Sequence, residues 1–192
     1  MSLTLLDWRR RVAAIYRDVR DASTPVAGWT LWRDGRAELL RMHPDSPLRS
    51  DQPLPTYAAY DPHLRFELPL LPAPAERWEA ATATDGLVPF ERIGRVEPPG
   101  LGSLDVWWLE SYGGGVFIPL RDGTSGHTTY GGGRYLVDTV KGADLGGAEG
   151  RLVIDFNFAY NPSCAYDPAW ACPLAPAGNA LATAIDAGEL DP

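Results

Sequence analysis

Cysteine and histidine are scarce in this chain of 192 residues, which has two of the first and three of the second. A structural zinc site takes four ligands, and two thiolates supply only half of one. The chain also lacks a Gly-x-Ser-x-Gly elbow and a His-Glu-x-x-His pair, which are typical of two large hydrolase classes. A resident metal and hydrolase chemistry are therefore both disfavoured.

Long apolar runs and an excess of basic residues are absent as well. No run approaches the roughly 18 apolar residues that a membrane span requires. The 25 acidic and 17 basic residues give a net charge of −8, which disfavours nucleic acid and anionic membranes as partners. The N-terminal segment does not have the order of a signal peptide, so we expect a cytoplasmic protein with reduced cysteines.

Tryptophan, glycine and proline are plentiful. The seven tryptophans predict an aromatic-rich core or pocket. The 20 glycines and 18 prolines favour short strands joined by turns over long helices. The length is that of one domain, so we expect a single domain over residues 1–192.

Hydrophobic periodicity divides the chain into a helical start and a β-rich body. Apolar residues at helical spacing predict helices over residues 3–20 and 29–42, which gives a helical N-terminal region 1–44. Seven short segments then follow at a spacing of roughly ten residues, with alternating apolar side chains and closing turns. They are HLRFELPLL, WEAATATD, LVPFERIGRVE, SLDVWWLES, GVFIPLRDG, GGRYLVDTV and GRLVIDFNF.

This pattern predicts a mainly β protein, an antiparallel barrel or sandwich of about seven strands with its β core in residues 60–160. The run WLESYGGGVFIPL predicts a hairpin that turns at Gly113–Gly115. Residues 161–192 combine a loop rich in cysteine and proline with a short C-terminal helix. We expect Asn179 to cap that helix and Gly188 to end it.

Three runs carry a family resemblance. They are SPLR at 46–49 with YDPHLRFEL at 60–68, then FIPLRDGTSGHTTYGGGRYLVDTVKGADLG at 117–146, and DFNFAYNPSCAYDPAWACPLAPAGNALATAIDAGE at 155–189. Together they resemble the bacterial domain-of-unknown-function family 1684, in a short form that begins with helices. The resemblance implies one mostly β domain and assigns no reaction.

The second run contains a glycine-rich turn with three polar candidates. Glycines allow backbone N–H groups to approach a ligand, and Arg121, His127 and Arg134 are the residues that could meet an anion there. His127 is also the natural candidate for a general base, because histidine titrates near neutral pH. The alternative is a hairpin whose polar side chains satisfy the amides of its own turn.

Asp155 and Asn157 lie in RLVIDFNF, on the strand face opposite to Leu152, Ile154, Phe156 and Phe158. If that face lines a barrel interior or a cleft, both polar side chains point into it. If the face meets water, they are ordinary surface residues.

Cys164 and Cys172 lie in the run DFNFAYNPSCAYDPAWACP, which also holds two Asx-Pro turns and five aromatic residues. Buried, reduced thiols that help to close a rigid loop are the simplest interpretation. A redox pair remains open because a turn-rich loop can bring two cysteines within about 6 Å. A metal ligand or a catalytic nucleophile would need further partners.

Taken together, the motifs predict a small-molecule pocket between the 121–134 turn and the 157–172 loop, with an unidentified ligand or cofactor. The predicted ligand-binding residues are Arg121, His127, Tyr130, Arg134, Asp155, Asn157, Tyr160, Tyr166 and Trp170. The alternative is a non-enzymatic module in which the aromatic loops bind a protein or a second copy of the chain.

Overall fold

The computed structural model describes residues 3–82, 86–170 and 172–192. Its first two elements are the helices α1 (Leu3–Arg20) and α2 (Pro25–Met42). The sequence pattern places α1 correctly but begins α2 four residues too late. The hydroxyl of Thr24 accepts a hydrogen bond from the N–H of Ala27 at 3.2 Å, and Pro25 occupies the first turn, where its missing N–H costs nothing.

The two helices pack against each other and against the β-rich body through one aromatic cluster. Trp32 donates its indole N–H to the hydroxyl of Tyr16 at 3.1 Å, which joins α2 to α1. Trp29 donates its indole N–H to the carbonyl of Asn157 at 3.1 Å, and Trp32 lies against Phe158. The helical hairpin is thus fastened to the segment that follows the last strand.

In the described part of the chain seven strands follow, as the sequence predicts, and all of them lie between residues 65 and 155. They are β1 (Arg65–Pro69), β2 (Arg77–Thr82), β3 (Gly86–Val96), β4 (Leu104–Leu109), β5 (Val116–Leu120), β6 (Arg134–Asp138) and β7 (Arg151–Asp155). The strands are short because Gly, Pro or Asp closes nearly every one of them.

The strands form two antiparallel sheets that share a core. One has five strands in the order β2-β3-β4-β5-β6, and the other pairs β1 with β7. Leu68 of β1 and Ile154 of β7 pack in one apolar cluster with Val106, Ile118 and Leu136 of the larger sheet. The mainly β prediction is confirmed, and of its two forms the structure resembles the sandwich rather than a single closed barrel.

The predicted β4–β5 hairpin is confirmed. Trp107 pairs with Phe117 and Trp108 with Val116 across the hairpin. Gly113 and Gly114 have φ angles of 96° and 54°, which favour glycine because it has no Cβ.

The predicted C-terminal helix is wrong. Within the described residues, the segment has one 3-10 turn at Ala177–Asn179 and is otherwise irregular or extended. Asn179 does not cap a helix; its side chain is buried and hydrogen-bonded to three residues of the larger sheet. Its amide donates to the carbonyls of Asp105 and Pro119 at 2.8 and 3.0 Å, and its oxygen accepts from the indole N–H of Trp107 at 2.7 Å. These tertiary hydrogen bonds hold the segment in a non-helical path, although the spacing of Leu181 and Ile185 is that of a helix.

Candidate functional site

A cavity of about 70 Å³ lies between the helical hairpin, strand β6 and the segment that follows β7. Six aromatic side chains dominate its lining, and we call it the aromatic cavity. They are Trp8, Tyr16, Trp32, Tyr135, Tyr160 and Tyr166. The polar side chains of the lining belong to Arg36, Lys141, Asn161 and Ser163.

Helical periodicity explains one wall of the cavity. Trp32 and Arg36 are four residues apart on α2, so they share the face that meets the body of the protein. Tyr16 is the buried residue of α1 and reaches the same wall. Strand pairing explains the opposite wall, where the backbones of Tyr135 and Tyr160 exchange hydrogen bonds at 2.9 and 3.0 Å.

A fully buried carboxylate, that of Glu189, holds the cavity wall together. The guanidinium of Arg36 binds it in a bidentate manner, from Nε to Oε1 at 2.5 Å and from one terminal nitrogen to Oε2 at 3.0 Å. The hydroxyls of Tyr57 and Tyr166 donate to it at 3.1 and 3.2 Å, and the N–H of Asn161 at 2.7 Å. Five donors thus satisfy a charge that would otherwise be costly to bury.

Several donors of the lining have no partner within the described part of the chain. The Tyr160 hydroxyl makes no hydrogen bond there, and the Tyr16 hydroxyl accepts from Trp32 but donates to no described residue. The guanidinium of Arg36 lies over the Tyr160 ring, 4.8 Å from its centroid, and one of its terminal nitrogens is unused. The cavity therefore presents O–H and N–H groups with unused donor capacity to whatever occupies it, together with one buried acceptor that has no described partner, the Oδ1 of Asn161.

The phenols of the cavity stay protonated at neutral pH. Burial raises the pKa of Tyr16 and of Tyr160 well above the ordinary value of tyrosine. Each hydroxyl consequently keeps its hydrogen and acts as a donor. The nearby charges come in opposite pairs, Arg36 with Glu189 and Lys141 with Asp138 at 3.5 Å, so the cavity has little net charge.

The nine sequence-predicted residues do not form one pocket. Tyr160 and Tyr166 line the aromatic cavity, whereas Asp155 lines a separate open pocket of about 430 Å³. Asn157 supports Asp155 through its N–H and its side-chain amide, at 3.0 and 2.7 Å. The loop 157–172 thus borders a cavity, but the facing wall comes from α1 and α2 rather than from the 121–134 turn.

Arg134 is bound within the protein. It is 1% exposed and donates to Asp122 at 2.8 Å, to the carbonyls of Ile185 and Glu189 at 3.2 and 3.1 Å, and to that of Ala187. These bonds tie the C-terminal segment to β6. The Arg134 guanidinium, which the sequence predicts to bind an anionic ligand, is therefore already hydrogen-bonded to groups of the protein.

The other residues of the predicted turn lie at or near the surface. Arg121 and His127 are exposed and line no described pocket. Tyr130 is partly buried, and its hydroxyl lies 3.9 Å from the Sγ of Cys164, so the turn does meet the cysteine loop at one point. Trp170, which belongs to the other predicted segment, the 157–172 loop, is 37% exposed.

Asp155 is a buried carboxyl whose pKa is raised by its surroundings. It is 2% exposed, and burial raises its pKa from 3.8 to about 6. Its Oδ2 lies 3.5 Å from the Tyr60 hydroxyl and 4.0 Å from the guanidinium of Arg65. Of the two alternatives that the sequence leaves open for Asp155 and Asn157, the burial of both side chains favours the cleft over an ordinary surface position, although Phe156–Phe158 form a 3-10 turn rather than a continued strand.

Metal and membrane sites are not evident in the described ranges. No group of three or more His, Cys, Asp or Glu residues in these ranges is arranged to hold a metal ion. None of the described helices is long and apolar enough to cross a bilayer.

Arg36 and Glu189, which organise the cavity, are not among the residues that the sequence predicts for the site. One signal for Arg36 was present, since a charged residue four positions after Trp32 falls within the apolar stripe of its helix. Charged residues at such positions are buried only when paired. Glu189 carried no comparable signal, because its partner lies 153 residues away in the chain.

Comparisons with known proteins agree with this fold. A family model described as "Protein of unknown function (DUF1684)" matches residues 53–190, which leaves both helices and the SPLR run at 46–49 outside the match. An uncharacterized protein from Haloarcula marismortui, known from a solution NMR structure, is 29% identical with a TM-score of 0.57. The similarity covers 82% of this chain and 89% of that one. The comparison with curated proteins gave no match.

Proposed function

The chain belongs to the DUF1684 family, whose description assigns no activity, and from its site we propose that it binds a small molecule in the aromatic cavity. The observation that carries the proposal is a set of lining groups with unused hydrogen-bonding capacity in the described chain, namely the hydroxyls of Tyr16 and Tyr160, one nitrogen of Arg36 and the buried Oδ1 of Asn161. Polar groups inside a protein are nearly always hydrogen-bonded, so such a cluster favours a polar occupant that supplies chiefly acceptors.

The proposed ligand carries a neutral acceptor oxygen, such as a carbonyl, on a compact apolar group. Three of these four groups are donors, so a carbonyl oxygen complements most of them, and only the Oδ1 of Asn161 calls for a donor. A carboxylate is less suitable because Glu189 already balances Arg36. Aromatic rings on both walls favour an apolar body.

The cavity volume limits the enclosed part of the ligand. A dry cavity of about 150 Å³ accepts benzene, and the aromatic cavity is about 70 Å³. On the same ratio, the cavity encloses roughly three heavy atoms of a ligand without rearrangement, and the rest of the ligand lies towards its opening. Larger ligands would extend past Lys141, whose side chain is half exposed at the rim.

Acetone and 2-methylpropene are a matched pair of probes for this proposal, because a CH₂ group replaces the carbonyl oxygen in the second. We expect acetone to bind in the millimolar range, since so few atoms limit the attainable affinity. Saturation-transfer NMR should show contact for acetone and at least a fivefold weaker effect for 2-methylpropene, which corresponds to about 1 kcal/mol per lost hydrogen bond.

Two pairs of variants, each a test and its control, locate the binding. Val12→Phe adds a ring to the cavity wall and should abolish the acetone signal, whereas Val26→Phe adds the same ring on the exposed face of α2 and should leave it unchanged. Tyr160→Phe should weaken it, with Tyr112→Phe at a fully exposed position as the control. Equal signals from both probes, or full binding by Val12→Phe, would contradict the proposal.

A protein-interaction role is the second candidate, and the exposed apolar side chains of the cysteine loop favour it. Trp170 is 37% exposed and Leu174 47% exposed. Tyr166 is buried and is not available to a partner. If the chain self-associates through this loop, Trp170→Ala should lower the molecular mass measured by light scattering, and an unchanged monomer mass in both proteins would exclude that role for the loop.

A cytoplasmic location remains our proposal, and the two free cysteines support it.

A further inference from the structure

We propose that Cys164 and Cys172 form a dithiol that reacts with hydroperoxides, with Cys172 as the attacking thiol and Cys164 as the resolving thiol. Both cysteines are free, and the N–H of Cys164 donates to the Sγ of Cys172 at 3.4 Å. This contact places the sulfur of one cysteine against the backbone of the other, in one loop. The two cysteines are eight positions apart in the sequence, so the pairing of their sulfurs into a disulfide calls for a local movement of this loop and no distant rearrangement.

The surroundings of the two sulfurs differ, and this difference assigns their roles. Cys172 receives the N–H of Cys164, and the side chain of Cys164, acting as a donor, lowers the pKa of the Cys172 thiol. The positive charge of Lys141 acts in the same direction. The same contact with Cys172, together with burial, raises the pKa of the Cys164 thiol. Cys172 is therefore the sulfur that carries the thiolate, which is the nucleophilic form.

Access and neighbours agree with this assignment. Cys172 packs on the aromatic cluster of Phe90, Trp107 and Tyr135 and is 9% exposed, so its thiol is partly shielded yet open to small reagents such as hydrogen peroxide. Cys164 is more exposed and lies in the 3-10 turn Ser163–Ala165, where the hydroxyl of Tyr130 is its polar neighbour at 3.9 Å.

The reaction has two balanced steps. The Cys172 thiolate attacks one oxygen of the hydroperoxide, a sulfur–oxygen bond forms, the oxygen–oxygen bond breaks, and the leaving oxygen takes a proton to become water or an alcohol. Cys172 is then a sulfenic acid. The sulfur of Cys164 attacks it, the sulfur–sulfur bond forms, the sulfur–oxygen bond breaks, and water leaves with the proton of Cys164. The hydroperoxide is reduced by two electrons, and the dithiol is oxidised by two.

The test is intact-mass spectrometry of the folded chain after treatment with hydrogen peroxide at neutral pH. The wild-type protein should lose two hydrogens. Cys164→Ser should instead accumulate a sulfenic acid on Cys172 that a cyclic 1,3-dione traps. Cys172→Ser should react at least tenfold more slowly at Cys164.

A second measurement keeps the proposal testable if a variant fails to fold. A brief pulse of a small alkylating reagent on the folded wild-type protein should label Cys172 and Cys164 at rates that follow their thiolate fractions, with Cys172 first. No loss of two hydrogens in the wild type, equal peroxide reactivity of the two variants, or earlier labelling of Cys164 would overturn the proposal.

Discussion

Arg134 shows at the scale of single residues how burial decides the role of a side chain. Its sequence position, after three glycines and in a turn with Arg121 and His127, is typical of an anion-binding residue. In the structure the side chains of Arg134 and Asp122 are both fully buried and 2.8 Å apart. Such a pair adds little net stability by itself, but removing one partner leaves an uncompensated buried charge.

We therefore expect Arg134→Ala to destabilise the fold. It should lower the free energy of unfolding by about 3–5 kcal/mol, because Asp122 and three backbone carbonyls lose their donor. Arg121→Ala is the matched control at an exposed neighbouring position and should change it by less than about 0.5 kcal/mol. Urea denaturation measures both, and equal stability of the two variants would contradict this role of Arg134.

Asp155 gives the protein a pH dependence of defined sign. Its pKa in the folded chain is raised from 3.8 to about 6, so between these values the folded chain binds more protons than the unfolded chain. Stability contributed by this group is therefore present at low pH and is lost as the pH rises through this window. The difference in pKa corresponds to at most about 3 kcal/mol.

Asp155→Asn should remove this loss, because an amide does not titrate and can still accept the N–H of Asn157. As the pH rises from about 4 to about 6, the unfolding free energy of the variant should increase relative to that of the wild type. Asp186→Asn, at an exposed position, is the control. A constant difference across these pH values would show that Asp155 does not titrate in this range.

At the scale of elements, the strands could be predicted from the sequence and the C-terminal segment could not. In a strand that is buried on one face, apolar side chains recur at every second residue, whichever strand lies beside it. This alternation is visible in the local sequence around Leu68 and Ile154, so both strands could be predicted. The C-terminal spacing of Leu181 and Ile185 also suits a helix. What decides against the helix is Asn179, whose three partners belong to β4 and β5. No local pattern contains that information.

Asn179→Ala tests this account of the C-terminal segment. The change leaves the indole N–H of Trp107 and the carbonyls of Asp105 and Pro119 without their partner, all of them buried. We expect a loss of about 2–4 kcal/mol in unfolding free energy, since each buried group left unpaired costs about 1–3 kcal/mol. Asn179→Asp is no substitute, because it cannot donate to the two carbonyls. A loss below about 0.5 kcal/mol by urea denaturation would contradict the account.

At the scale of the whole molecule, the aromatic cavity is lined both by residues inside the segment that the family model matches and by residues outside it. Tyr135, Tyr160 and Glu189 lie within the matched region, whereas Trp32 and Arg36 lie on α2, outside it. The sequence indicated the loop side of the site through Tyr160 and Tyr166. It did not indicate the helical side, because the packing of a helix on a sheet depends on distant contacts such as the bond between Trp29 and Asn157.

The cavity and the thiol pair also share one loop. Ser163 and Tyr166 line the cavity, and Cys164 lies between them. The two proposals nevertheless depend on different observations, unpartnered donors in one case and a contact at a sulfur atom in the other. Either one can fail without the other.

The most direct test of the binding proposal is a two-dimensional ¹H–¹⁵N NMR titration with acetone, followed at the side-chain N–H signals. The indole N–H of Trp32 donates to the Tyr16 hydroxyl, and the Nε–H of Arg36 to Glu189, so both report on the cavity. We predict that these two signals shift and saturate together, while those of the exposed Trp108 and Trp170 stay in place. Shifts confined to Trp108 or Trp170, or none at Trp32 and Arg36, would contradict binding in the aromatic cavity.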